Sequence, residues 1–251
     1  MLTQVNSLAY VEVTSEYSYY DGMKKLSALI TISFFLASCT QDQNDSVLTS
    51  TEAAPNHYKI EFENDYVRII RVTYSPGDIS TMHSHEPTTV GVTLTGGQGI
   101  FTGLDGNSDT RPKNFPGDVL SDDGTPHSVT SISEFDEELI FVEVKKNYKS
   151  KDLGIPNAIE LDPASHIIEI EKPNIRVVRI KSPAGSQTPM HSHNAGVTVA
   201  LTDMKVEHTS LNGEVTEITR SAGDISWREE IAHSGKNISD QPLEVNLFEM
   251  L

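Results

Sequence analysis

Two short stretches carry the chemistry of this chain. "TMHSHEPTT" (81–89) holds His83 and His85, and "PMHSHNAGV" (189–197) holds His191 and His193. In a strand, residues i and i+2 project from one face, so each pair presents two imidazoles together. His127 and His233 occupy matched positions further on and offer a third imidazole from another strand. Six of the nine histidines thus fall at three matched positions in two copies. Three neutral imidazoles are a metal-ligand set that leaves one open position on tetrahedral zinc, or three on octahedral iron or manganese. Such a centre keeps its full dipositive charge. It would favour a carboxylate, enolate or thiolate ligand, polarise a carbonyl, or acidify a bound water. Iron(II), zinc, manganese, nickel and copper all accept imidazole, so the metal stays open. Imidazoles satisfied within a metal-free core are the competing reading. His57, His166 and His208 fall outside the matched set and read as ordinary packed or exposed histidines.

The elements that must position these residues form a repeat. "NDYVRIIRVTYSPGDISTMHSH" (64–85) matches "PNIRVVRIKSPAGSQTPMHSH" (173–193), with Arg68, Arg71 and Gly77 opposite Arg176, Arg179 and Gly185. "FPGDVLSDDGTPHSVTSIS" (115–133) matches "SAGDISWREEIAHSGKNIS" (221–239), and "EELIFVEVK" (137–145) corresponds to "QPLEVNLFE" (241–249). A copy of this length is one structural unit used twice. Val90, Val92 and Leu94 alternate, as do Leu243, Val245 and Leu247, which reads as strands. Gly96-Gly97, "LDGNSD" (104–109), "DDGTP" (122–126), "LNGE" (211–214) and the two Gly-Asp pairs, Gly117-Asp118 and Gly223-Asp224, read as turns. The chain is therefore expected to be all-β, a sandwich or barrel in each copy. The matched arginines are placed on strand faces or rims. Trp227 could equally be core or pocket wall, and Met82 and Met190 point away from the histidine pairs.

On these residues the chain resembles the cupin superfamily. Gly77, His83, His85 and Gly96 follow the first cupin motif, and Gly117, Gly124 and His127 the second with one residue fewer in the gap. In the second copy Gly185, His191 and His193, then Gly223, His233 and Asn237, do the same. The resemblance covers about residues 60–147 and 168–250. It implies a bicupin: two tandem double-stranded β-helix (jelly-roll) barrels with a histidine cluster in each. The family's glutamate ligand would fall at Thr89 and Val197, and neither is a carboxylate. The resemblance is then to three-His cupins, which include cysteine and β-diketone dioxygenases, with no anionic ligand at either site.

Composition bounds the rest. The formal net charge is −17, which repels phosphate backbones and argues against a nucleic-acid partner. Cys39 is the only cysteine, so no intramolecular disulfide forms. Residues 23–38 read as a lipoprotein signal: Lys24-Lys25, then an apolar run from Leu26 to Ala37, too short to span a bilayer. The ending "LASC" resembles the bacterial lipobox, with Cys39 as the lipid attachment. Residues 1–22 precede the signal and suggest that translation begins at Met23. The expected organisation is then a flexible tether over 39–56, an N-terminal barrel over 57–147, a linker over 148–165 and a C-terminal barrel over 166–251. The expected address is the bacterial cell envelope, facing the periplasm or exterior, with membrane contact through the lipid anchor only. The expected partner is a small molecule, and the chain is a monomer or homodimer.

Two functional classes stay open. One is a metal-dependent, dioxygenase-like oxidoreductase acting on a small anionic or dicarbonyl molecule, with no assigned general base beyond the neighbouring Glu86, Glu229 and Glu230. The other is a non-catalytic envelope protein that binds a small molecule or metal. No nucleophile motif or phosphate-binding glycine loop is present.

Overall fold

The computed structural model describes residues 47–251. The start at Met23, the signal, Cys39 and the first part of the tether lie outside the described residues. The described part is all-β apart from two helical turns, α1 (Ser50–Ala53) and α2 (Ala158–Leu161). The N-terminal half runs through β1 (Tyr58–Glu63), β2 (Val67–Tyr74), β3 (Thr89–Thr93), β4 (Gly99–Gly103), β5 (Ser108–Thr110), β6 (Val119–Asp122), β7 (His127–Ser131) and β8 (Glu137–Val144). The C-terminal half runs through β9 (His166–Lys172), β10 (Ile175–Ser182), β11 (Gln187–His193), β12 (Gly196–Ala200), β13 (Met204–Ser210), β14 (Val215–Arg220), β15 (Ile225–Arg228), β16 (Ile231–Asn237) and β17 (Leu243–Met250).

The two halves repeat one topology. The sheet β1-β2-β8-β3-β6 corresponds to β9-β10-β17-β12-β15, and β5-β4-β7 to β14-β13-β16, which β11 extends. The N-terminal counterpart of β11 pairs with β7 only through single bridges, Ile79–Thr130 and His83–His127. These are two cupin-type barrels. α1 and α2 also match, although the sequence placed them in tether and linker. Each starts its barrel beside the histidine strand, Thr49 bridging Ser84 and Asn157 bridging Ser192. Glu52 accepts from the Thr49 N–H at 3.1 Å, and the Asn157 side chain caps Ile159 N–H at 3.0 Å.

The largest apolar cluster lies between the barrels rather than inside one. Val67, Ile69, Val90, Val92, Ile140 and Val142 of the N-terminal five-stranded sheet join Ile175, Val177, Val197, Val199, Phe248 and Met250 of the C-terminal one. This explains why β3 is buried along its whole length instead of alternating. One of its faces lines the barrel and the other meets the second barrel, so both must be apolar or small. At Gly91 an added Cβ would fall 2.3 Å from the Phe141 ring.

The matched arginines clasp this interface reciprocally. Arg71 donates to the Gly223 carbonyl of the other barrel at 2.8 Å, and Arg179 to the Gly117 carbonyl. Arg71 also pairs with Glu61 and Glu138, as Arg179 does with Glu169 and Glu244. Gly117 and Gly223 have φ of 87° and 85°, the left-handed region glycine favours, so the Gly-Asp turns form as read. Asp118 and Asp224 close them by accepting from Phe115 N–H (2.7 Å) and Ser221 N–H (2.8 Å). Trp227 belongs to this interface: it stacks on Phe62 of the opposite barrel and meets Tyr148 edge-on.

Candidate metal centres

In the N-terminal barrel, strand geometry brings the predicted histidines together. His83 and His127 exchange two backbone hydrogen bonds of 2.9 Å, which sets their rings side by side, and His85 follows two residues on. All three are buried, and each places a ring nitrogen within 4.8 Å of the other two. Their Nδ1 atoms face acceptors. His83 donates to the Thr81 carbonyl (2.8 Å), His127 to the Thr125 carbonyl (2.8 Å) and His85 to a carboxylate oxygen of Glu143 (3.0 Å). A carbonyl cannot donate, so a neutral ring held there carries its proton on Nδ1 and a bare lone pair on Nε2. Nε2 of His83 is buried without a hydrogen-bond partner. Burial lowers the pKa of His83 to about 4 and lowers that of His127, so these rings stay neutral at neutral pH. Convergent neutral lone pairs with their other nitrogens already engaged are the donor set a divalent transition metal takes.

The C-terminal barrel repeats part of this. His191 donates from Nδ1 to the Pro189 carbonyl (2.8 Å) and His193 to Glu249 (3.0 Å), and their Nε2 atoms approach to 2.9 Å. His233 lies opposite His191 across the β11–β16 ladder, its Nε2 3.1 Å from that of His191. Here the sequence reading needs correction on one histidine. His166 is no ordinary packing residue: its ring nitrogen joins those of His191 and His193 within 4.8 Å. His208 lies against His233 with ring centroids 3.9 Å apart. Five imidazoles therefore crowd this interior. Burial lowers His193 to about 3 and His208 to about 4, lowers His166 and His191, and pushes His233 far down. His57 does stand apart, stacked on Tyr74 and donating to the Thr73 carbonyl.

The sequence reading also missed two carboxylates. Glu143 and Glu249 are each 1% exposed and lie beneath the second histidine of each pair. Arg68 holds Glu143 at 3.2 Å and Arg176 holds Glu249 at 2.7 Å, which accounts for the remaining matched arginines. Burial alone would raise Glu249; the His193 hydrogen bond and the Arg176 and Arg228 charges outweigh it and bring it to about 2. Each cluster thus lacks a carboxylate beside its imidazoles but has one behind them, orienting a ring. Glu229 and Glu230 face elsewhere: they accept from the Tyr148 hydroxyl, and Glu230 from Lys151 N–H. Beside the C-terminal cluster, a cavity of about 780 Å³ opens between the segment 147–157 and residues Ser192, His193 and Asn194 at the end of β11.

The fold is that of a bicupin, and it holds two buried three-His clusters that are candidates for a transition metal. No family profile matches the sequence, and no curated protein matches it. Solved structures do. AerE from Microcystis aeruginosa is 15% identical, with 78% of this chain and 97% of that one covered and a TM-score of 0.51. Oxalate decarboxylase from Bacillus subtilis is 14% identical, with 74% and 69% covered and a TM-score of 0.50. A cupin domain from Bordetella pertussis is 22% identical over 36% of this chain and 92% of its own, with a TM-score of 0.33. At these identities the likeness is one of fold.

Proposed function

We propose that this chain is a metal-binding bicupin lipoprotein of the bacterial cell envelope, attached through Cys39 and acting on a small anionic or dicarbonyl molecule. The observation that carries the metal reading is the N-terminal cluster, where three buried rings each place a nitrogen within 4.8 Å of the other two and all three Nδ1 atoms are engaged. His83, His85 and His127 would hold one metal. His191 and His193, with a third imidazole, would hold the other. A bound divalent metal would supply Lewis acidity or redox chemistry at its open positions. The protein's own part is to fix the rings: the Thr81 and Thr125 carbonyls and Glu143 set tautomer and direction, and the apolar walls exclude water.

Elemental analysis of protein purified without chelator or His-tag tests this. One to two equivalents of a transition metal are expected, with one site lost in His83→Ala and the other in His191→Ala. No metal after reconstitution with iron, zinc and manganese would overturn it. A non-catalytic binding role is the second reading. It is favoured by the ties on the nearest carboxylates, Glu143 to Arg68 and Glu249 to Arg176, which leave neither free as a general base. Oxygen uptake by the iron-loaded protein across a panel of dicarbonyl and thiol acids separates the two. Turnover abolished by His83→Ala or His191→Ala would mark the enzyme.

A further inference from the structure

We infer that the two centres are built with opposite polarity, and that the C-terminal one receives the anionic molecule, on Arg228. The inference rests on the metal reading above and names which of the two sites takes the anion.

The register of the sheets carries the argument. Residues directly opposite across neighbouring antiparallel strands share a face. Glu249 lies opposite Arg176 on β10 and Gly196 on β12, and Gly196 lies opposite Arg228 on β15. The same row in the N-terminal barrel runs Arg68, Glu143, Thr89, Asp122. Both rows face the histidines, because Glu249 accepts from His193 and Glu143 from His85. The rows agree at the arginine and the glutamate, which pair in both copies. They differ at the far end, where one copy has an aspartate and the other an arginine. With each Arg–Glu pair cancelled, one formal positive charge is left beside the C-terminal cluster and one negative charge beside the N-terminal cluster.

Arg228 is only partly satisfied. Its Nη1 donates to the Asn194 carbonyl. Its Nη2 is buried with no hydrogen-bond partner and stands 3.7 Å from Glu249 Oε1, an oxygen that already accepts from His193. Glu230, two residues on, is engaged by the Tyr148 hydroxyl and the Lys151 N–H. Burial lowers the pKa of Arg228 to about 10, so it stays charged at neutral pH. Burial is also the largest cause of the lowered pKa of His191, His193, His208 and His233, and the Arg228 charge adds to it at all four, so its field reaches the whole cluster. A buried guanidinium nitrogen without an acceptor costs stability that an incoming oxyanion would restore. A small carboxylate would meet the metal's charge and this donor together.

Asp122 does the reverse. It accepts from Gly124 N–H at 2.7 Å and sets a carboxylate charge where Arg228 stands in the other copy. Arg111, over the Phe101 ring, is exposed and has Asp109 at 3.6 Å, so it does not offset that charge.

Formate is the probe, on the cobalt(II)-loaded full chain in two single-site forms. His83→Ala keeps the C-terminal centre and His191→Ala the N-terminal one. Formate binding is read from the visible cobalt bands, with cobalt content measured in every variant. The C-terminal form is expected to bind formate about 10- to 100-fold more tightly, the range a charge-assisted hydrogen bond supplies. Adding Arg228→Gln should remove most of that difference, and Arg228→Lys should restore part of it. Adding Asp122→Asn to the N-terminal form should tighten formate there by about threefold or more, as removal of a nearby like charge does. That arm decides the matter if Arg228→Gln fails to fold. Equal formate affinity in the two cobalt-loaded parents, or unchanged affinity in Arg228→Gln or Asp122→Asn, would overturn the inference. Absence of cobalt from a parent would instead overturn the metal reading of that barrel, and the comparison with it.

Discussion

Inside the N-terminal barrel the histidine set is enclosed by rings. Tyr58 lies 4.7 Å from His83 between centroids, Phe101 5.0 Å from His127 and Phe141 5.2 Å from His85. At the matched positions the C-terminal barrel carries His166, His208 and Leu247. The ladders fix this correspondence: Gly103 opposes His127 as Ser210 opposes His233, two residues beyond Phe101 and His208. Outside, the two copies scarcely differ. Both present a valine- and isoleucine-rich sheet to each other, and both close the contact with an arginine on a glycine carbonyl. The difference teaches that the fold is set by the shared face, whereas two substitutions inside turn an aromatic-walled site into a five-imidazole one.

The sharpest way to break this comparison is at the shared face. Phe248→Ala should lower stability by about 3–5 kcal/mol, the cost of a large buried cavity. Chemical denaturation should still show one transition for both barrels; two separated transitions would mean that the face does not couple them. Next come the buried carboxylates. Glu143→Gln and Glu249→Gln should each weaken metal binding at their own site by about 10- to 100-fold, read by competition with a chromogenic chelator. Equal metal affinity in parent and variant would remove the ring-orienting role. The clasp should cost less. Arg71→Ala and Arg179→Ala are each expected to lower stability by about 1–3 kcal/mol and by similar amounts. A large inequality between them would refute the two-fold equivalence. The smallest effect concerns acid. His208 is neutral in the fold with a pKa near 4, whereas the unfolded chain takes up that proton below about 6.5. Its stability contribution is therefore complete at pH 7.5 and is lost as pH falls from about 6.5 toward 4. In metal-free protein, His208→Phe should reduce the loss between pH 7.5 and 6 by up to about 0.8 kcal/mol, measured by urea denaturation at both values.

Much of this architecture was legible as spacing. The His-x-His pairs, the Gly-Asp turns and the repeat survive in the fold because each expresses a local rule: same-face projection, left-handed glycine, period-two strands. What escaped was register. Matching "EELIFVEVK" to "QPLEVNLFE" from their first residues sets Glu143 opposite Leu247. The ladders with β2 and β10 pair Glu143 with Arg68 and Glu249 with Arg176, and so align the two glutamates. A shift of two residues would have exposed the pair. His166 escaped for a related reason. The neighbouring His57 invites alignment with it, but Tyr58 is the residue that faces inward. The interface arginines were unreadable because their partners across the interface are carbonyls of the other copy, and a carbonyl leaves no mark in a sequence.

The reciprocal clasp and the shared apolar face have a consequence for descent. In a protein made of two separate identical chains, any change at the contact appears on both sides at once, and so does any change in the interior. Joining the copies in one polypeptide ends that compulsion. Each outer sheet remains answerable to the other, so drift there is checked by the neighbour. The interiors answer to nothing in common. One half can keep a ring of aromatics while the other gathers imidazoles, and even a half that lost all chemistry would still be retained as scaffolding.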